Sequence, residues 1–196
     1  TSLGLGGAEM CIRDSGATAS LEDLDTLSPD AVVCATGSSW DSSGFSPLRL
    51  ERDTMPGVEQ DNVLDVAAAT ARALESPRAL GDKVLIVDEP GDYLPLGLAD
   101  LLSAAGVSVE VVSRHMLIGG ELATTFDMTY LFPRLVEAGV RLSAQHFVER
   151  IDGTSVEVYG IWGGPPRTED DVDTGVLAMM RTPNDGLFEE ARERFD

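Results

Sequence analysis

Three short stretches carry the residue types from which chemistry could come: 88–97 (DEPGDYLPLG), 113–115 (SRH) and 35–37 (ATG). The first lies between the apolar run 83–87 (KVLIV) and a stretch whose Leu98, Leu101 and Leu102 share one helical face. At a strand-to-helix turn of this kind, glycine leaves backbone N–H groups bare and the helix N-terminus favours negative charge. Together they can cradle a diphosphate. Here the position is right but the chemistry differs. The turn offers Gly91 and Gly97, and it adds Asp88, Glu89 and Asp92. Each carboxylate beside a diphosphate is repulsive by about 1 kcal/mol or more when partly desolvated. Pro90 and Pro95 remove two donors. Gly91 and Gly97 are therefore expected to shape a degenerate nucleotide site, and a pure scaffold is the competing reading. Arg114 sits where a second strand ends. It is expected either to meet a nucleotide phosphate or to pair with nearby acids. His115 and His146 are the only histidines, and neither has a partner cluster in sequence. They read as surface or satisfied polar residues, not as catalytic bases. Ala35, Thr36 and Gly37 close an apolar run with a small residue, a hydroxyl and a glycine. Such an ending lets backbone pass close to a bound nucleotide, although it can also be a plain strand end.

The elements that must position these residues are an alternation of strands and helices. The run 31–35 (AVVCA) reads as a buried strand closed by Thr36 and Gly37, with residues 21–27 before it as a short helix or loop. Residues 38–57 are rich in Ser, Gly, Pro and Asp and read as an irregular connection. Helical spacing over 62–74 is ended by Pro77 and Gly81. Strand 83–87, helix 96–105 with Gly106 at its C-terminus, and strand 107–112 make one βαβ unit, which must cross over into a parallel sheet. Beyond it come a helix at 126–137, a strand at 140–143, and a hairpin of 147–151 with 155–159. A polar loop at 163–173, a strand at 176–180 and a helix from 187 follow. The fold class expected is α/β, a Rossmann-like FAD/NAD(P)-binding fold with a mostly parallel sheet and a small antiparallel hairpin.

Composition narrows the function classes. The net charge is −20, with Lys83 the single lysine, and such a surface repels nucleic acid. It reads either as a solvated acidic surface or as a docking face for a basic partner. No apolar run is long enough to span a bilayer. The cysteines, Cys11 and Cys34, make no disulfide framework. Cys34 is expected to be a buried thiol, in keeping with a cytoplasmic location. There is no paired-cysteine metal motif and no Ser–His–Asp set, so neither catalytic nor metal residues are expected. Tyr130, Tyr159 and Trp162 read as packing residues. Residues 10–15 (MCIRDS) resemble the translation of a sequencing adapter, so residues 1–15 are set aside as a suspect, non-native segment.

The order ATG at 35–37, VLIVDEPGDYLPLGLADLL at 84–102, GVSVEVVSR at 106–114 and SVEVYGIWGG at 155–164 resembles the C-terminal half of the trimethylamine, dimethylamine and histamine dehydrogenase family. It is also similar to dienoyl-CoA reductase-like flavoenzymes. The resemblance runs from residue 30 to residue 196. It is most specific at 88–97 and at 158–164 (VYGIWGG). It implies a larger flavin-dependent oxidoreductase, with a preceding barrel domain that holds FMN and an iron–sulfur cluster. In such an enzyme residues 16–75 and 166–196 belong to a first, ADP- or FAD-type nucleotide domain. Residues 76–165 form an inserted second domain of NAD(P) type. Ala35, Thr36 and Gly37 would line the ADP or FAD site, and the degenerate turn speaks against NAD(P). An electron-transferring flavoprotein and a homo-oligomer are the partners the resemblance implies. Two stretches depart from the pattern: 3–7 (LGLGG) is at most a remnant of the first glycine fingerprint, and 176–181 (VLAMMR) replaces a second strand end of TG type. Two rival readings are a working NAD(P)H-dependent reductase domain with Arg114 on the cofactor, and a non-catalytic docking module.

Overall fold

The computed structural model describes residues 15–195, and those residues divide into two compact units, 38–182 and 15–37 with 183–195. Residues 3–7, Cys11 and all but Ser15 of the suspect segment lie outside the described residues.

The smaller unit begins with α1 (Leu21–Leu27). The Ser20 hydroxyl accepts from the Asp23 N–H, and the Asp23 carboxylate accepts from the Ser20 N–H, a capping box that starts the helix. The expected buried strand at 31–35 does not form. Residues 31–37 are irregular, and Val33 is 89% exposed. Their β-branched composition suits a strand, but no neighbouring strand pairs with them among the described residues, and a strand needs a ladder to hold it. Cys34 is a free, half-buried thiol and not a buried one.

The larger unit opens with β1 (Ser38–Trp40), part of a two-stranded sheet, and a long loop. The helical pattern expected over 62–74 splits. β2 (Val63–Asp65) comes first and α2 (Val66–Glu75) follows, because the Asp65 carboxylate accepts from the Ala67 and Ala68 N–H groups and caps the helix there. Then come β3 (Lys83–Asp88), α3 (Tyr93–Ala104), β4 (Ser108–Ser113), α4 (Met128–Glu137) and β5 (Arg141–Ala144). Gly106 has φ +79°, the left-handed turn required after α3. The antiparallel strands are β6 (His146–Asp152), β7 (Ser155–Gly160) and β8 (Arg167–Glu169), so the stretch expected as a loop at 163–173 supplies a third strand to the hairpin. β9 (Thr174–Ala178) and β10 (Arg181–Pro183) follow, and α5 (Gly186–Phe195) lies in the smaller unit.

The parallel sheet has the order β2-β9-β3-β4-β5. It draws strands from both sides of 76–165, since β2 precedes that stretch and β9 follows it. Along β3 the side chains alternate. Val84 and Ile86 pack with α2, α3 and α4 through Val66, Leu98, Leu102 and Leu135. Leu85 and Val87 face the antiparallel sheet through Phe147, Val148, Val156 and Val158. The layers are thus helices, parallel sheet and antiparallel sheet. With both faces covered, β3 needs the uninterrupted apolar run that it has. The fold is mixed α/β with a mostly parallel sheet and a small antiparallel one.

Candidate functional site

In an open parallel sheet the natural crevice lies beyond the carboxyl ends of the strands, where the strand order reverses. Here that point falls between β3 and β9, since the crossovers from β3 run outwards to β4 and β5. The turn after β3 fills it. Asp88 is fully buried and Glu89 is 1% exposed. The Asp88 carboxylate accepts from the Gly91 N–H at 2.8 Å, and the Glu89 N–H donates to the Ala178 carbonyl at 2.9 Å, which ties the turn to β9. Gly91 has φ +71°, a conformation that closes this tight loop at little cost only for glycine.

The expected phosphate-binding amides are already engaged. The Asp92 side chain caps α3 by accepting from the Leu94 N–H at 3.0 Å, and Pro95 has no N–H to offer. The Asp-x-x-Pro spacing is a helix-start signal that was available in the sequence, and it moves the start of the helix back from residue 96 to Tyr93. Gly97 is therefore not in the turn. It lies within α3, where a Cβ would stand 2.9 Å from the Tyr93 ring, so its smallness serves packing of that ring and not a ligand.

Arg114 and His115 close the turn from the β4 side. The Arg114 Nε donates to Glu89 Oε1 at 2.6 Å. His115 Nε2 lies 2.7 Å from the Glu89 carbonyl, and the buried Ser113 hydroxyl donates to the Asp88 carbonyl at 2.8 Å. Of the two expectations for Arg114, the structure realises the ion pair. Burial pushes the Asp88 carboxyl up to about 6, against the opposing pull of the Gly91 N–H and of His115. Burial raises Glu89 as well, and Arg114 counteracts it. The Gly119 N–H also draws on the Asp88 carboxyl, and Glu89 Oε2 is buried without a partner. The arrangement can hold a proton, but it cannot receive a diphosphate without expelling its own acids.

Ala35, Thr36 and Gly37 lie elsewhere, in the smaller unit. They border a groove of about 410 Å³ with Asn184 and Phe188. The Thr36 hydroxyl donates to the Asn184 carbonyl, and the Gly37 carbonyl accepts from the Asn184 N–H. A Cβ at Gly37 would meet nothing within 4 Å. The backbone there is bare and open.

A family model described as the OYE-like second alpha/beta domain matches residues 69–184, more than half of the chain. The chain belongs to this family. Its relatives are amine dehydrogenases and flavin oxidoreductases, so the family is one of enzymes. The chain is 24% identical over 190 residues to dimethylamine dehydrogenase from Hyphomicrobium sp. (strain x), covering 88% of this chain and 25% of that protein. Among solved structures, histamine dehydrogenase from Rhizobium sp. 4-9 superposes with TM-score 0.76 at 22% identity, over 91% of this chain and 27% of the other. A 6-hydroxypseudooxynicotine amine oxidase from Pseudomonas geniculata N1 gives 0.74 at 22%, over 92% and 26%. The chain thus spans about a quarter of the length of these relatives.

Two further groupings escaped sequence reasoning. Glu110, 4% exposed on β4, accepts from Arg141, Arg167 and the Ser143 hydroxyl, and the network runs on through Glu169 to Lys83. It joins β8 to the edge of the parallel sheet. Arg49 and Tyr159 form a stacked pair. Both groupings bring together residues far apart in sequence, so spacing carried no trace of them. Among the described residues no group of three His, Cys, Asp or Glu is placed to hold a metal ion, and no helix is long and apolar enough to cross a membrane.

Proposed function

We propose that this chain is the nucleotide-binding and electron-transfer portion of a larger flavin-dependent oxidoreductase of amine dehydrogenase type. The observation that carries the reading is the self-occupied turn after β3, set within a parallel sheet of order β2-β9-β3-β4-β5. A strand–turn–helix built for a diphosphate has Asp88 and Asp92 on its own amides. That speaks for a second nucleotide domain retained as scaffold, and against a working NAD(P)H site. Gly91 shapes this turn, and Arg114 neutralises Glu89 within it.

In this reading Ala35, Thr36 and Gly37 contact ADP or FAD in the first nucleotide domain, along the open groove they border. The second domain is inserted into the first. Residues 76–165 form its body, and the division of the chain near residues 37 and 183 supports placing its limits further out. FMN and an iron–sulfur cluster belong to a barrel domain outside this chain, where bound flavin supplies the redox chemistry. No residue of this chain breaks a substrate bond. An electron-transferring flavoprotein is the acceptor, the intact enzyme is a homo-oligomer, and its location is the cytoplasm.

Calorimetric titration of the chain with ADP and with NADH tests this. ADP is expected to saturate, and more weakly with Gly37→Val, since Gly37 has φ +74° and valine is strained there. NADH is expected not to saturate at the same concentrations. Tight NADH binding would reject the self-occupied turn, and absence of ADP binding would reject the role of Ala35, Thr36 and Gly37.

A further inference from the structure

A single exposed apolar side chain is ordinary, but several held out together on one face mark a contact surface. The carboxyl end of the parallel sheet has such a group. Met116 and Leu117 are exposed just after β4, in a stretch laid over the turn after β3, where the Glu121 N–H donates to the Gly91 carbonyl at 3.1 Å. Tyr93 is exposed where α3 leaves the same turn. Phe126 and Tyr130 stand one helical turn apart at the start of α4, which begins at the same end of the sheet. Phe126 is 72% exposed, and Tyr130, whose sequence context reads as packing, is 74% exposed. Phe126 also has φ +62°. A bulky residue in the left-handed region is strained, and it persists only where its surroundings fix it. Here they do. The Thr124 hydroxyl donates to the Glu121 carbonyl at 2.8 Å, the Thr125 hydroxyl to the Asp127 carboxylate at 2.5 Å, and the Thr129 hydroxyl to the Phe126 carbonyl at 2.8 Å. Phe126 belongs to neither hydrophobic core cluster. The loop therefore accepts strain to hold an aromatic ring in water. Preordered aromatic side chains are the anchors on which protein interfaces depend.

The charges around these residues limit what covers them. No lysine, arginine or histidine occurs from Met116 to Pro133, whereas Glu121 and Asp127 do. Neither acid takes part in an ion pair among the described residues. Arg134, the next cation along α4, is already engaged by both oxygens of Asp100, at 2.8 and 3.0 Å. The face is thus apolar and aromatic at its centre, with uncompensated carboxylates beside it. A partner that matches it carries basic residues around an apolar patch, since opposed potentials fix register and speed encounter. A second copy of this chain does not match, because at a net charge of −20 it brings acid against acid.

We propose that this face docks a protein whose surface sets basic residues around an apolar centre, with Phe126 and Tyr130 as the anchors. The probe is a synthetic amphipathic helical peptide of leucine and lysine. Its controls are the leucine–glutamate counterpart and an oligolysine of equal charge. Binding to the chain is followed by calorimetry, and its place by backbone amide signals in the NMR spectrum. The leucine–lysine peptide is expected to saturate, to shift the signals of 116–130, and to bind about tenfold more tightly than oligolysine. The glutamate peptide is expected not to bind. Phe126→Gly combined with Tyr130→Ser is expected to lower the affinity about tenfold, while Leu74→Ser, which removes an exposed apolar side chain on α2, leaves it unchanged. Phe126→Gly alone is expected to keep or raise the midpoint of thermal unfolding, because glycine relieves the left-handed strain. That split between stability and binding is what a residue held out for a partner shows. Failure of the leucine–lysine peptide to saturate, equal binding of either control, or unchanged affinity in the double variant would each overturn the proposal. So would a lowered midpoint in Phe126→Gly, or sedimentation showing that the chain pairs with itself through these residues.

Discussion

Asp88 concentrates the residue-scale physics of this chain. Its carboxyl titrates at about 6 in the folded protein, above the ordinary value of 3.8, because burial disfavours its charge. The folded state therefore keeps a proton that the unfolded chain has already released between those two values. Stability falls as pH rises through that window and levels off above it. Asp88→Asn keeps an oxygen for the Gly91 N–H and removes the titration. The variant is expected to match the parent near pH 4 and to exceed it on the order of 2 kcal/mol at pH 7, read from urea unfolding at several pH values. A parent whose stability is flat between pH 4 and 6 would contradict the burial argument. The acids of this turn were visible in sequence as a misfit for phosphate. Their burial was not, since only the approach of Ser113, Arg114 and His115 from β4 closes them off.

Among the elements, the lesson is where glycine is structural. Gly57 has φ +94°, and a Cβ there would stand 2.0 Å from the Ile151 carbonyl oxygen. At this point the long loop meets the antiparallel sheet, with the Ile151 N–H donating to the Pro56 carbonyl at 3.0 Å. Backbone cannot yield as a side chain does, so Gly57→Ala is expected to cost about 3 kcal/mol or more. Gly139 has φ +76° after α4 but open space around it. Gly139→Ala is expected to cost only about 1 kcal/mol of left-handed strain. Thermal unfolding of the two variants side by side checks the contrast. Most elements were legible from periodicity, including β3, α3, β4 and the β6–β7 hairpin. The misreadings have local causes. A capping carboxylate at Asp65 cut three strand residues from a helical pattern, β8 is too short and polar to announce itself, and the apolar run at 31–35 lacks a ladder partner among the described residues.

On the scale of the whole molecule, charge and layering dominate. A net charge of −20 on 196 residues is self-repulsive, and added salt screens it. The midpoint of thermal unfolding is expected to rise by several degrees between about 0.02 and 0.5 M sodium chloride. A midpoint that does not move would mean that pairs such as those of Glu110 and Glu169 already offset the repulsion locally. Sequence by itself determined the α/β class, the parallel unit around β3 and β4, the acidic surface and the unsuitability of the turn for a diphosphate. All of these depend on short-range spacing and on composition. Only the tertiary structure decided that β9 inserts between β2 and β3, that Arg114 serves Glu89, that Gly97 lies inside a helix, and that Arg49 meets Tyr159. Each of these brings together groups remote along the chain or set by the exact start of an element. The same feature, the acid-filled turn after β3, was thus seen first as a charge misfit and became a closed, proton-holding site once its neighbours in space were known.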